Sequence, residues 1–368
     1  MTRYRCHRQS DCSVTIQTNP ALDHVLTAAS AHASDEQACA IAKLHYGLSA
    51  CASLLAGERD LNFHLRCDDD RQFLLKISNP AEDPNVTDFQ NKALLHIQHT
   101  APELPVQRIH PTTTGLHQVF VNLDGQTVLV RLFSFVVGTP LNKVEHPSQK
   151  LRSGLGEHLA RLGIALRGFF HPAAGHELLW DIKHSSRLKG LVEHIENVED
   201  RQLAEHFLDN FEQYALPHLK RLRAQVIHND LNFHNVIVDD HNAEVIRNIL
   251  DFGDMVHAPL INDLAVAASY QLGQTGDPLD QAIAFIQAYH TVCPLEEIEQ
   301  EILFDLIAAR LVMTVVITNW RASMYPENSA YILRNAPLAW SALRRFRQVP
   351  REAAQQKIRQ ICAQEAQQ

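Results

Sequence analysis

The residues with the most chemistry to offer sit in one stretch, His228-Asn229-Asp230-Leu231-Asn232-Phe233-His234-Asn235, with a second acidic group further on at Asp251-Phe252-Gly253-Asp254. Between them lie a short apolar run, Val236-Ile237-Val238, a turn signal, Asp240-His241-Asn242-Ala243, and a second run from Val245 to Leu250. Two such runs around a polar turn predict a β-hairpin. The open ends of a hairpin lie side by side. Asn235, just before the first strand, and Asp251, just after the second, therefore face one point. An amide oxygen and a carboxylate converging there suit a hard cation such as Mg²⁺, which takes oxygen ligands and keeps several waters. Asp230, in the same loop, is placed to hold a hydroxyl beside that metal.

The order His-x-Asp, four residues, Asn, then Asp-Phe-Gly is the logic of phosphoryl transfer from a nucleotide. One Asp takes the proton of the acceptor hydroxyl, while the Asn and the second Asp hold metal on the phosphates. That chemistry needs a small sheet upstream, with a phosphate-covering turn between its first two strands and a lysine on its third. Strand patterns fall at 49–55, 62–66 and 72–78, and again near 117–123 and 126–133. The turn Ala56 to Asp60, with Gly57, lies between the first two strands, and Lys76 stands in Phe73-Leu74-Leu75-Lys76-Ile77 on the third. The four parts occur in the required chain order. The helix expected from about Thr87 to His99 carries Gln90 where a kinase commonly has the acid that pairs its lysine. Gln90 accepts a hydrogen bond from Lys76, or closes a capping box with Thr87, or does both; Asp88 is the substitute partner. His228 is expected to brace the loop through backbone hydrogen bonds, and Asp263 to anchor that loop or cap a helix.

These elements divide the chain. Residues 1–18 read as a loose tail, 19–136 as a β-rich nucleotide lobe, 137–349 as a helical catalytic and substrate lobe, and 350–368 as a polar tail. Helical patterns run at about 22–46, 147–168, 185–222, 278–291 and 296–320. The fold class is α+β: a small antiparallel sheet lobe joined to a larger helical lobe through a crossing near 133–140.

With these motifs the chain resembles the aminoglycoside phosphotransferase and choline kinase superfamily, which has a protein-kinase-like two-lobed fold. Within it, the chain resembles the hydroxylysine kinase branch. The closer likeness lies in Glu58-Arg59-Asp60-Leu61-Asn62-Phe63, Leu75-Lys76-Ile77-Ser78-Asn79, Leu129-Val130-Arg131-Leu132, Asp230-Leu231-Asn232, Ile249-Leu250-Asp251-Phe252-Gly253-Asp254-Met255 and Tyr325-Pro326-Glu327-Asn328, and the similarity runs from about residue 40 to 346. The resemblance implies Asp230 as catalytic base, Asn235 and Asp251 as Mg²⁺ ligands, and Lys76 on the α- and β-phosphates. It implies that the hinge backbone through Leu132, Ser134 and Phe135 holds the nucleotide base. GTP is the donor implied by the branch, with ATP as the alternative. Asn232 and Asp254 become candidates for gripping a substrate ammonium or hydroxyl, and Tyr325 and Glu327 for closing the acceptor pocket. The implied acceptor is 5-hydroxylysine. Homoserine, choline, ethanolamine and an aminoglycoside are the alternatives, and a kinase-fold regulator that binds nucleotide without turnover is the rival from another class.

Composition narrows the partners. Over 368 residues, 33 Lys and Arg stand against 42 Asp and Glu, a net charge of −9. Such a chain is a poor match for nucleic acid or an anionic membrane. The 7 cysteines are odd in number and show no CxxC spacing, which argues against a disulfide framework and for a reducing, cytoplasmic setting. Arg3, Arg5 and Arg8 have no apolar stretch behind them, so no signal peptide is expected. The most apolar segment, Leu306 to Ile317, is interrupted by Arg310 and is too short to span a bilayer. His96 and His99 read as a surface pair rather than a metal site.

Overall fold

In the computed structural model, residues 31–55, 57 and 60–363 are described. The expected tail 1–18, the start of the 22–46 helix and residues 364–368 lie outside them. Helix α1 (Asp35–Tyr46) starts at a Ser34–Gln37 capping box and ends at Gly47, whose φ of 67° suits glycine. The strands β1 (Ala50–Leu55), β2 (Leu61–Cys67), β3 (Gln72–Ile77), β4 (Ile109–His110), β5 (Val119–Leu123) and β6 (Gln126–Ser134) form one antiparallel sheet in the order β1-β2-β3-β6-β4, with β5 also on β6. Alternation along β2 and β3 sends Phe63, Leu65, Phe73, Leu75 and Ile77 into a core closed by Ala38, Ile41 and Ala42 of α1. Each such buried side chain contributes roughly 1.5–3 kcal/mol. The same alternation turns Leu74 and Lys76 to the opposite face, where the cleft lies.

Helix α2 (Pro84–Thr100) follows β3. Its cap is Asp83, whose carboxylate accepts the Asn85 N–H at 2.8 Å, and Pro84 takes the first turn. The capping box expected at Thr87 and Gln90 is therefore absent. Thr87 lies inside the helix and donates to Pro84 O at 2.9 Å.

The chain then crosses to the helical lobe through β7 (Thr139–Pro140), which joins β9 (Val236–Val238) and β10 (Ile246–Ile249) in a second sheet. Strands β8 (Ala224–Ile227) and β11 (Val256–Pro259) pair separately. The helices are α3 (Gln149–Ala165), α4 (Val198–Asn210), α5 (Leu260–Ser269), α6 (Ile283–Val292), α7 (Glu297–Met324), α8 (Ala336–Phe346) and α9 (Arg351–Ala363), with a one-turn helix at Ser329–Ile332. α7 is buried almost all round from Ile302 to Thr318 and forms the axis of the lobe's core. α3 and α6 meet backbone to backbone: a Cβ on Gly156 would run into the carbonyl of Phe285.

Two expectations change here. The 185–222 pattern is not one helix. It is 3₁₀ over Ile182–Gly190 and Val192–His194, then α4, then a π turn at Phe211–Ala215 and 3₁₀ at Leu219–Arg221. Asn197 restarts the helix by capping the Asp200 N–H at 2.9 Å, and Pro217 prevents its continuation. The 350–368 segment is not a solvated tail where it is described. Ala354, Ile358 and Cys362 of α9 lie at i, i+4 spacing in the main core. Arg351 pairs with the buried Asp305 at 2.8 Å, and Gln355 donates to Glu301 O at 2.8 Å. The Gln-rich composition conceals this stripe. Among the described residues no helix is long and apolar enough to cross a membrane.

Candidate active site

The loop after β8 carries the first group of residues. Asn229 takes a left-handed conformation, φ 65°, which Asn tolerates better than most residues. Asp263 of α5 holds the bend, accepting the N–H of His228 at 3.2 Å and of Asn229 at 2.8 Å. Burial pushes the Asp263 carboxyl up, while His228 and the two N–H groups pull it back. His228 braces the loop as expected. Its Nδ1 accepts the Asp230 N–H at 3.2 Å, which leaves Nε2 protonated to donate to Leu250 O at 3.0 Å.

Asp230 is held by both carboxylate oxygens. Oδ2 accepts from Asn232 Nδ2 at 2.9 Å and Asn235 Nδ2 at 2.8 Å, and Oδ1 accepts from Arg310 Nη2 at 3.0 Å. Burial pushes its pKa up to about 7, helped by the Asp254 and Asp251 charges and opposed by Arg310. The side chain keeps 18% of its surface open, so solvent tempers that push.

The hairpin forms as the apolar runs require. β9 and β10 pair antiparallel with an irregularity between Ile246 and Asn248. Leu250 N donates to Asn235 O at 2.8 Å, so Asp251 emerges directly beside Asn235. The amide nitrogen of Asn235 is committed to Asp230, which makes its Oδ1 the atom that can bind a cation. Asp251 also has a left-handed backbone, φ 57°, and accepts the Gly253 N–H at 3.2 Å. Asn235 and Asp251 line the same cleft as Lys76. Two oxygen donors of this kind fit a hard divalent cation that fills its shell with water and phosphate oxygens. Among the described residues no cluster of three or more His, Cys, Asp or Glu offers a different metal site.

Lys76 projects from β3 into the cleft. Its Nζ lies 2.9 Å from Asp60 and 3.8 Å from Asp251. Burial favours the neutral amine, but the two carboxylates outweigh it and raise the Lys76 pKa. The carboxylate beside Lys76 thus comes from the turn before β2. Neither expected partner supplies it. Gln90 accepts from Arg131 Nη1 at 2.7 Å through Oε1 and donates to Gly253 O at 3.0 Å through Nε2. Asp88 is occupied by Lys92 at 2.6 Å and His171 at 3.2 Å. Gln90 still lines the same cleft as Lys76.

The remaining expected residues are placed less centrally. A Cβ on Gly57 would strike Asp60 O, so only glycine fits there; residues 56, 58 and 59 lie outside those described. The hinge side chains do not line the cleft. Leu132 points into the small-lobe core, and Phe135 stacks on His64 with centroids 3.8 Å apart. The Ser134 and Phe135 N–H groups already donate to Arg108 O at 2.8 Å and Gln72 O at 3.4 Å. Phe133, with Leu74, Leu94 and Leu250, forms the apolar wall instead. Asp254 is nearly buried and its charge reaches Asp230. Asn232, besides bonding Asp230, accepts the His234 N–H at 2.7 Å. Tyr325 is half-buried at the end of α7 and Glu327 is exposed, and neither joins the hydrogen bonds to Asp230. Their segment approaches the loop further on: burial, then the Arg334 charge, lowers the His234 pKa.

Asp60 stood in the phosphate-covering turn and Arg131 in the closer likeness without a role of their own, and Arg310 had none. Arg131 is paired in register with Lys76 across β3 and β6, so its alternation with Val130 and Leu132 placed it on the cleft face. Arg310 was visible as the one charge inside an apolar run, but only as an interruption.

The model of the phosphotransferase enzyme family (APH) matches residues 51–301. Hydroxylysine kinase of Mus musculus is 24% identical over 305 residues, covering 78% of this chain and 80% of the relative. Hydroxylysine kinase of Danio rerio is 26% identical over 313 residues, covering 82% and 87%. Among solved structures, the microcompartment-associated aminopropanol kinase superposes with a TM-score of 0.66 at 19% identity, covering 83% of this chain and 96% of that one. Amicoumacin kinase hAmiN, solved with AMP-PNP, Ca²⁺ and Ami, gives 0.62 at 13%, covering 83% and 95%. The two structures share this fold.

Proposed function

The chain belongs to the phosphotransferase enzyme family, and we propose that it transfers the γ-phosphoryl group of GTP or ATP to the hydroxyl of a small amine or amino acid, with 5-hydroxylysine as the acceptor. The reading is carried by one observation: Asp230, gripped at both oxygens, shares its loop with Asn235, which stands beside Asp251 across from the Lys76–Asp60 pair. The acceptor is favoured because the hydroxylysine kinases match along most of both chains.

The acceptor hydroxyl gives its proton to Asp230 as its oxygen bonds to the γ-phosphorus and the bond to the β-phosphate oxygen breaks. Lys76 draws on the donor's phosphates, and Asn235 and Asp251 would hold a divalent cation, Mg²⁺ in this reading, which would supply charge neutralisation at the phosphate oxygens. Asp254 and Asn232 meet the acceptor's ammonium, with Tyr325 and Glu327 closing over it. Phe133, with Leu74, Leu94 and Leu250, packs against the base, in place of the hinge expected there. In this division 19–136 is the donor lobe and 137–349 the acceptor lobe, and the enzyme works in the cytoplasm. Positioning and fixed charge supply most of the rate.

The test is an initial-rate screen of the purified chain with Mg²⁺, ATP or GTP, against 5-hydroxylysine, homoserine, choline, ethanolamine and an aminoglycoside. Phosphorylation of 5-hydroxylysine with the highest kcat/KM is expected. Turnover of another alcohol in its absence would reassign the acceptor. Nucleotide-induced thermal stabilisation without any turnover would replace the enzyme by a regulator.

A further inference from the structure

We propose that Arg310 is a positioning residue for this transfer, fixing the Asp230 carboxylate from the core side; the inference rests on the role just given to Asp230. Arg310 sits mid-helix in α7, and its neighbours Leu306, Ile307, Ala309, Leu311 and Met313 are all buried. A guanidinium in such surroundings is strongly unfavourable unless it is paired, and an apolar side chain there would fill the core at less cost. Helix packing thus gives no reason for the charge.

The partners of Arg310 give one. Its Nη2 donates to Asp230 Oδ1 at 3.0 Å and lies 3.5 Å from the Tyr270 hydroxyl. Its Nη1 donates to Trp180 O at 3.3 Å, and its guanidinium carbon stands 5.0 Å from the centre of the Trp180 ring. Among the described residues the buried Nε has no partner, so the group is arranged for Asp230 even at the expense of its own satisfaction. A planar fork held at three points transmits a direction as well as a charge, which a lysine cannot do. Asn232 and Asn235 hold the other oxygen. With both oxygens held, the carboxylate cannot turn, and the small part of Asp230 still open is the part an acceptor hydroxyl reaches.

The test uses the full chain with Mg²⁺, nucleotide and the acceptor that the wild type phosphorylates. Arg310→Ala is expected to lower kcat about 100-fold, the scale of a misplacement near 1 Å, while the nucleotide KM stays within about twofold. Added guanidinium ion should restore part of the lost rate to Arg310→Ala and none to Asp230→Asn. Arg310→Lys, which keeps charge without the fork, should recover less than a tenth of the wild-type kcat. Tyr270→Phe, which removes one hydroxyl, should fold normally and lower kcat a few-fold at unchanged nucleotide KM. The inference is overturned if folded Arg310→Ala or Arg310→Lys turns over within about twofold of wild type. It is equally overturned if kcat falls only in step with the folded fraction, without guanidinium rescue and with Tyr270→Phe fully active. An inactive wild type would instead overturn the function; an active wild type beside an equally active Arg310→Ala overturns only the inference.

Discussion

Lys76 Nζ and Asp60 Oδ2 lie 2.9 Å apart, and the other oxygen of Asp60 accepts the Asn79 N–H at 2.9 Å. One carboxylate thus joins the turn before β2, the lysine on β3 and the backbone just beyond β3. The side chains of the pair are 16% and 17% exposed, enough shelter for the charge–charge contact to hold the lysine in place.

Asp60→Ala should leave Lys76 mobile. The KM for nucleotide is expected to rise about tenfold, the effect of roughly 1.4 kcal/mol. The acceptor KM should stay unchanged. Initial rates with both substrates varied will separate the two, and an unchanged nucleotide KM would remove Asp60 from the donor site.

Asp230→Asn keeps the shape of the side chain and removes the carboxylate proposed as the base. Turnover should fall by about 10² to 10⁴, with nucleotide affinity by calorimetry nearly unchanged. Full activity in this variant would end the assignment of Asp230 as the base.

Gln90 carries Arg131 on one end of its amide and the Gly253 carbonyl on the other. Gln90→Leu leaves a buried guanidinium short of a partner and releases the loop that bears Asp251. A loss of about 1–3 kcal/mol of stability is expected, with weaker nucleotide binding in the presence of Mg²⁺. Gln90→Glu keeps the Arg131 contact but sets oxygen against the Gly253 carbonyl, so it should preserve stability better than nucleotide affinity. Denaturant titration and calorimetry on both variants check the split.

Burial pushes the Asp305 carboxyl up to about 6, against the pull of Arg351. A raised acid holds its proton in the folded chain after the unfolded chain has released it. Its contribution to stability is therefore full below about pH 4 and falls as pH rises towards 6, by at most about 1.4 kcal/mol per pH unit. Asp305→Asn cannot titrate. Its melting temperature relative to wild type should rise between pH 4 and 6.5, and a flat difference would show that Asp305 ionises normally.

Much of the site was legible because it depends on local order along the chain. The hairpin between Asn235 and Asp251 follows from two apolar runs and a turn, and Lys76 from strand alternation. The missing parts depend on contacts distant in sequence. Arg310 reaches Asp230 from 80 residues away, and nothing near Arg310 marks its partner. Gln90 stands out at its position on α2, but its companions Arg131 and Gly253 come from a strand and a loop that meet α2 only in three dimensions. The 185–222 pattern misled because 3₁₀ and α turns share similar apolar spacing over a few residues. The docking of α9 was hidden by its Gln-rich composition, although Ala354, Ile358 and Cys362 form a regular stripe.

The crossing strand β7 lies in the same sheet as the hairpin, and Pro105–Gln107 of the small lobe is stitched to β10 by Ile249 N to Pro105 O at 2.7 Å and Gln107 N to Ile249 O at 3.0 Å. The ribbon between Asn235 and Asp251 is thus bonded to the crossing strand on one side and to the small lobe on the other. Lys76 belongs to the small lobe and Asp230 to the helical one, so the spacing between them is set across this seam.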